Sequence, residues 1–302
     1  MKVLVCDKLA DSAVKAMRDA GLEVVVKTGM TPEELVATVP GFHVAIVRSA
    51  TKFRKPAIDA ATDMKLIVRG GVGLDNIDVE YAESKGIKVM NTPAASSASV
   101  AELALGFMFA LARSIPQATA SMKAGKWEKK QFQGIELAGK TLGVIGAGRI
   151  GAELIKRASA LGMNCIFYRR TPTEVPGARQ VPLEELLRTS DFISMHVPLT
   201  PETANMLSRE QFAMMKDGVY IVHCGRGGTV DEEALLEALN SGKVAGAALD
   251  VFAEEPTNNM ALVSHPNVIC SPHIGAQTKE AQERVGDEVA SIVIEFAKAH
   301  AG

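Results

Sequence analysis

The sequence predicts an α/β protein of two doubly wound domains, one inserted into the other. Three observations carry that prediction. Short apolar runs alternate with helical patterns along nearly the whole chain, the rhythm of parallel sheets covered by helices on both faces. A glycine pattern, Gly146-Ala-Gly-Arg-Ile-Gly151, directly follows one apolar run and opens a helical one. The last helical stretch, residues 278–299, begins only after the inserted domain has a full set of strands, so it is available to return to the first domain.

Taken in order, strands are expected over residues 2–6, 23–26, 43–47, 65–68 and 87–90. Helices lie between them. One covers 9–20 and stops at Gly21, and another starts at Thr31-Pro-Glu-Glu34, a capping box with proline at the first helical position. A third follows Arg54, and a fourth covers 78–84 and stops at Gly86. Residues 99–123 read as two helical stretches broken near Ile115-Pro116. The polar segment 125–139, with Trp127 and Phe132 as its main large apolar groups, is long for a connection inside one domain and suits a domain joint or an arm embracing another subunit. Six further strands are expected over 141–145, 164–168, 191–195, 218–222, 244–249 and 268–270. Ser208-Arg-Glu-Gln211 reads as a capping box, and Thr229-Val-Asp-Glu232 as the cap of a helix running to Leu239.

Totals narrow the function. The chain has 302 residues, enough for two domains, and its net charge of −2 gives no sign of a nucleic-acid partner. The N-terminus reads as strand with no signal peptide before it. The most apolar helical stretch, 103–112, is too short to cross a bilayer. Cys6, Cys165, Cys224 and Cys270 are widely spaced without a CxxC, so no disulfide and no metal site is expected. A reduced, cytoplasmic protein follows from these features.

The strand at 141–145, the glycine pattern, its helix and the strand at 164–168 form a βαβ unit carrying a dinucleotide fingerprint in its required context. Gly146 allows the tight turn, Gly148 lets backbone approach a pyrophosphate, and Gly151 lets the helix pack against the sheet. The phosphates then sit over the unpaired amides of Arg149 and Ile150 at the helix start. The inserted domain therefore reads as a Rossmann domain.

Sites in open α/β sheets lie beyond the C-terminal strand ends, where Arg226, Asp250, Glu255 and His273 fall. Each alone has a bland account, a solvated charge or a satisfied structural histidine. Together they fit the interconversion of a 2-oxo acid and a 2-hydroxy acid. A guanidinium grips the carboxylate through two parallel hydrogen bonds. An imidazole, supported by a carboxylate, passes the proton as hydride is transferred.

Several motifs then resemble a known family: Arg48-Ser-Ala-Thr-Lys52, Asp75-Asn-Ile-Asp78, Asn91-Thr-Pro93, Gly139-Lys-Thr-Leu-Gly143, Gly225-Arg-Gly-Gly228, Ala248-Leu-Asp-Val-Phe252 with Glu255-Pro256, and Pro272-His-Ile-Gly275. Over essentially its whole length the chain resembles the D-isomer-specific 2-hydroxyacid dehydrogenases, most nearly their 3-phosphoglycerate branch. The resemblance implies a discontinuous, flavodoxin-like substrate domain, residues 1–97 plus 276–302, around a Rossmann domain at 98–275, with the active cleft between them. It implies that Arg226 holds the substrate carboxylate and that Glu255 pairs with His273, the general acid/base. Arg48 and Arg69 match arginines that bind the substrate phosphate, and Gly71 and Val72 match a loop whose amides touch the carboxylate. Pro198, Cys224, Gly225, Asp250 and Gly275 join the glycine turn as expected coenzyme contacts. A homodimer or homotetramer joined through the coenzyme domain is also implied.

Some positions depart from the pattern. NAD-using members place an acid after the second Rossmann strand, where this chain has Arg169 and Arg170, so NADP is expected over NAD. Ala94-Ala-Ser-Ser97 replaces a Gly-Asn pair near the substrate, and Val197 replaces a hydroxyl residue near the coenzyme. Both leave a hydroxypyruvate, glyoxylate or general 2-oxoacid reductase, or more remotely a coenzyme-sensing corepressor, as other readings. The sequence ends at Gly302 without the serine-sensing domain of longer members, so no serine feedback through such a domain is expected.

Overall fold

The structure, a computed structural model, describes residues 1–300. Backbone contacts divide it into two compact units, Met1–Ser96 with the stretch from Ala276 onward, and Ser97–Gly275. The first unit alternates β1 (Lys2–Val5), α1 (Asp11–Asp19), β2 (Glu23–Val26), α2 (Pro32–Thr38), β3 (Val44–Val47), α3 (Lys55–Ala60), β4 (Leu66–Arg69), α4 (Val79–Ser84) and β5 (Lys88–Asn91). The second opens on α5 (Ser97–Arg113) and α6 (Ile115–Lys123), followed by β6 (Thr141–Ile145), α7 (Arg149–Ala160), β7 (Asn164–Tyr168), β8 (Ala178–Gln180), α8 (Leu183–Thr189) and β9 (Phe192–Met195). It continues through α9 (Arg209–Met214), β10 (Val219–His223), α10 (Glu232–Asn240), β11 (Val244–Leu249), α11 (Met260–Val263) and β12 (Val268–Cys270). Helix α12 (Lys279–Ala299) belongs to the first unit.

In the first unit the strand order is β2-β1-β3-β4-β5, all parallel, the flavodoxin-like arrangement. Successive residues of β1 face opposite layers. Val3 and Val5 pack with Val14 and Met17 of α1 and with Val285, Val289 and Val293 of α12. Leu4 packs with Leu35 of α2, Ile58 of α3 and Ala82 of α4. The spacing of the three α12 valines lays one apolar stripe on the sheet, and each buried valine contributes about 1.5–3 kcal/mol. The strand order reverses between β1 and β3, so the loops after these two strands, carrying Asp7 and Arg48, meet at the switch point.

The second unit's sheet runs β12-β11-β10-β9-β6-β7-β8, again all parallel. It has seven strands where six are predicted. The added β8, Ala178-Arg-Gln180, has no apolar run and pairs only with β7 at the sheet edge, so nothing local announces it. Helices α8 and α11 are likewise additions. The switch point lies between β6 and β9, beside the fingerprint turn. Gly146 has φ +93°, and a Cβ there would come within 2.8 Å of the His196 carbonyl. A Cβ at Gly151 would lie 2.7 Å from the Gly146 carbonyl oxygen, so this glycine admits α7 to the turn. The expected two doubly wound domains are both present.

Two caps are as predicted. Thr31 Oγ1 accepts from Glu34 N–H at 3.2 Å while the Glu34 carboxylate accepts from Thr31 N–H at 2.9 Å. The Gln211 amide oxygen accepts from the Ser208 N–H at 3.2 Å. The third is corrected: Asp231, not Thr229, caps α10, accepting from Glu233 and Ala234 N–H at 3.1 and 3.0 Å. Asp231 stands immediately before the first helical residue, whereas the Thr229 hydroxyl is turned to the Arg226 carbonyl at 2.8 Å. Helix α5 is a core helix that buries Val100, Ala104, Phe107, Met108 and Leu111, and α6 leaves it at 62°. Among the described residues no single helix is long and apolar enough to cross a membrane.

Candidate active site

Strands β10, β11 and β12 are neighbours, and the loops at their C-terminal ends carry the residues singled out as catalytic. The His273 Nδ1 lies 2.7 Å from Glu255 Oε2. A carboxylate only accepts, so Nδ1 carries the hydrogen and donates, which leaves Nε2 as the working nitrogen. The second Glu255 oxygen accepts from Phe252 N–H at 3.2 Å. Burial alone would raise the Glu255 pKa. The His273 hydrogen bond and charge, the Phe252 N–H and the positive charge of Arg226 outweigh it and hold the carboxyl below its ordinary range.

Arg226 sits in the loop 224–228, half-buried, with Nη1 donating to the Gly225 carbonyl at 3.0 Å. This loop packs directly on the one after β11: a Cβ on Gly227 would lie 1.7 Å from the Phe252 carbonyl oxygen, so only glycine fits. The close approach brings the Arg226 charge within electrostatic reach of Glu255, which is itself paired with His273. Such a set can hold an anionic substrate and exchange a proton with it at Nε2.

Asp250, expected among the coenzyme contacts, is 1% exposed and commits both oxygens to the His273 turn. It accepts from Ser271 Oγ at 2.5 Å and from the Ile274 and Gly275 N–H groups at 2.8 Å each. These bonds hold His273 in the left-handed region, φ +53°, which a non-glycine residue adopts only when its surroundings impose it. Cys224 is buried beside Asp250, and burial together with that charge pushes its thiol well above the usual range. Sequence reasoning passed over two histidines at neighbouring strand ends, His223 buried and His196 half-buried. His223 ends β10 and His196 follows β9; burial pushes their pKa values down to about 4 and about 3. Their positions at strand ends beside the fingerprint were the available signal.

At the fingerprint, Gly148 and Arg149 are exposed at the start of α7, with Ile150 half-buried behind them. Nothing lies within 4 Å of where a Gly148 Cβ would be. An open helix N-terminus behind a glycine turn fits a pyrophosphate. Arg169 and Arg170 are exposed after β7, and Arg169 donates to Thr173 Oγ1 at 3.2 Å. Pro198 is exposed after β9, its carbonyl accepting from Thr203 Oγ1 at 2.6 Å.

In the first unit, Arg48 and Arg69 occupy the C-terminal ends of adjacent strands, Val47 pairing with Arg69 in register. Arg48 Nε donates to the Gly70 carbonyl at 3.3 Å, and its Nη1 donates to Gln282 Oε1. Burial lowers the Arg48 pKa, against the opposing charge of Asp7. Gly71, at φ +145°, lies under the Arg69 guanidinium, which fills the space a Cβ would need. Val72 follows, half-buried, its carbonyl accepting from Asn91 Nδ2 at 2.5 Å.

The D-isomer specific 2-hydroxyacid dehydrogenase NAD binding domain matches residues 105–275. The chain is 53% identical over 295 residues to D-3-phosphoglycerate dehydrogenase of Methanocaldococcus jannaschii, covering 96% of this chain and 56% of that one. It is 50% identical over 293 residues to hydroxypyruvate reductase of Thermotoga maritima, covering 95% of each. Among solved structures, D-lactate dehydrogenase from Aquifex aeolicus, complexed with NAD and lactic acid, has a TM-score of 0.89 and 30% identity over 99% of this chain and 96% of that one. The chain belongs to the D-isomer-specific 2-hydroxyacid dehydrogenases. It spans a little over half the length of the phosphoglycerate dehydrogenases it matches.

Proposed function

We propose that this dehydrogenase oxidises 3-phosphoglycerate to 3-phosphohydroxypyruvate. The observation that carries the reading is the pair of guanidinium groups, Arg48 and Arg69, at adjacent strand ends of the first unit. A substrate with only one carboxylate has no need of them beyond Arg226, whereas a phosphate does. The identity to the Methanocaldococcus jannaschii enzyme points the same way.

In this mechanism Arg226 grips the substrate carboxylate through two N–H donors and fixes C2. On the first unit, the backbone amides of Gly71 and Val72 are the further substrate contacts we infer. His273 Nε2 takes the C2 hydroxyl proton during oxidation and returns it during reduction. Glu255 keeps the imidazole in the required tautomer and offsets the positive charge it gains. When bound, the nicotinamide coenzyme supplies the partner for hydride transfer. The glycine turn of Gly146, Gly148 and Gly151 and the amides of Arg149 and Ile150 hold the pyrophosphate, with Pro198, Cys224, Gly225 and Gly275 along the rest of the coenzyme.

The coenzyme we infer is NADP rather than NAD. Two exposed guanidinium groups, Arg169 and Arg170, stand at the end of β7 where a carboxylate would reject the 2'-phosphate. We also infer a homo-oligomer joined through α5, α6 and the segment after them, because Phe109, Ile115, Met122 and Trp127 are all exposed there. Four unpaired cysteines suit a reducing, cytoplasmic setting.

The test is kcat/KM for phosphohydroxypyruvate against hydroxypyruvate, each with saturating NADH and with saturating NADPH. A preference for the phosphorylated acid of ~10²-fold, about 2.7 kcal/mol of transition-state binding, is expected. Equal or reversed values would establish the second reading, a hydroxypyruvate reductase, which the Thermotoga maritima relative favours.

A further inference from the structure

His223, the last residue of β10, has no part in the roles assigned above, yet it is 3% exposed beneath the loop that carries Arg226. Its Nε2 lies 3.4 Å from Thr229 Oγ1, and its Nδ1 is buried without a hydrogen-bond partner in the protein. Thr229 is wholly buried. Its hydroxyl is 2.8 Å from the Arg226 carbonyl oxygen, and its backbone N–H donates to the same oxygen at 3.4 Å. The Thr229 carbonyl accepts from Leu207 N–H at 3.2 Å, and that of Gly228 from Asn205 N–H at 2.8 Å, so the far side of the loop is tied down as well.

The proton positions follow from valence. A carbonyl oxygen only accepts, so the single hydrogen of the Thr229 hydroxyl goes to Arg226. Toward His223 that hydroxyl offers only lone pairs, so Nε2 must carry the N–H. Burial favours the neutral ring, against the weaker pulls of the Arg226 backbone and Glu255. A neutral ring protonated at Nε2 has a bare Nδ1, the opposite tautomer to that of His273. The two histidines are thus distinguished by their partners, a hydroxyl for one and a carboxylate for the other.

We propose that His223 and Thr229 are positioning residues for Arg226, the ring donating through Nε2 to a hydroxyl that in turn closes the Arg226 loop. The proposal rests on Arg226 as the carboxylate anchor. The loop is then held from below by His223 and Thr229 and from the side by the Gly227–Phe252 contact, so the guanidinium is presented in one orientation. Thr229 also sits where a capping box would have used it, and it is released from that duty because Asp231 caps α10.

Four variants and one spectrum test this. Thr229→Val is expected to raise the KM for the 2-oxo acid by ~10-fold, the scale of one lost hydrogen bond to a positioned group, while the KM for coenzyme stays within ~2-fold. Thr229→Ser restores the hydroxyl and should restore that KM. Equal changes in both KM values, or no change in either, would overturn the proposal, since a hydroxyl that merely stabilises the fold does not separate them. On the wild-type protein at neutral pH, the ¹⁵N spectrum of His223, assigned by its loss in His223→Asn, should report a protonated Nε2 and a bare Nδ1. A protonated Nδ1 refutes the relay whatever the kinetics. Arg226→Lys separates the two ideas. If it leaves the 2-oxo acid KM unchanged, the anchor reading fails, while the spectrum still decides the tautomer.

Discussion

Asp250 offers the sharpest test of how the site is held. Its carboxylate is buried and accepts three hydrogen bonds, two at Oδ1 from Ser271 Oγ and Ile274 N–H, and one at Oδ2 from Gly275 N–H. Asp250→Asn keeps one oxygen and turns the other into a donor. In its better orientation the remaining oxygen serves Ser271 and Ile274, and the new NH₂ faces the Gly275 N–H. One buried donor then loses its acceptor, at ~1–3 kcal/mol. Asp250→Ala strips all three; the Ser271 hydroxyl rotates to another acceptor, but two backbone N–H groups are stranded, at ~2–6 kcal/mol. That is a large share of the ~5–15 kcal/mol that holds a typical domain together. Urea denaturation of both variants measures these losses. Activity should fall as well, because His273 sits in the left-handed turn that these bonds impose, and a displacement of ~1 Å costs ~10²-fold in rate. The reasoning is refuted if Asp250→Ala unfolds within ~0.5 kcal/mol of wild type and turns over at the wild-type rate.

Three further outcomes follow from the geometry. Glu255→Gln keeps the shape of the His273 contact but removes its charge; with both side chains more than a third exposed, kcat should drop ~10–30-fold, the lower part of the range for charged hydrogen bonds, and a change under ~2-fold would exclude the pairing as a catalytic support. The same carboxyl titrates below its ordinary range in the folded protein, so its stabilisation is complete above the unfolded glutamate value of ~4.3 and disappears as pH falls through the lower folded value; the urea midpoint of wild type should converge on that of Glu255→Gln in that window. Arg169→Asp should lower kcat/KM with NADPH by ~10-fold or more, the weight of a charge-assisted bond to the 2'-phosphate, and should spare NADH. An unchanged NADPH-to-NADH ratio would remove Arg169 from coenzyme selection.

Much of the fold was legible because its signals are local. The fingerprint turn needs a strand, three glycines and a helix in sequence, and all lie within residues 141–160. Arg226, Glu255 and His273 were legible as site candidates because each is a reactive residue type placed just past an apolar run. Strand β8 was not, since Ala178-Arg-Gln180 becomes a strand only by adding to the edge of β7. The Thr229-Val-Asp-Glu232 pattern matched a capping box in letters, but the nearby Asp231 took the cap and left Thr229 to the Arg226 loop. Which of two adjacent acceptors serves a helix depends on where the incoming chain turns, and that is decided by tertiary packing.

The supporting residues Asp7, Asp250 and His223 share one physical cause. A parallel strand stops hydrogen-bonding at its C-terminal end, and the loop that leaves it carries backbone donors with no strand beside them. In this protein a buried polar side chain just past, or at the end of, one strand serves the loop of its own or the neighbouring strand. Asp7 after β1 accepts from the N–H groups of Arg48 and Thr51, beyond β3, at 2.5 and 3.2 Å. Asp250 after β11 does the same for the His273 turn beyond β12. His223 at the end of β10 lies under its own loop through Thr229. Each supports a loop that presents one of the proposed working groups: Arg48, His273 and Arg226. A buried Asp or His is costly unless its partners are in place, so these positions hold the loops rigidly once folded. The working groups can be found from residue type and strand-end position, but what their supports hold can be read only when the neighbouring strand is known.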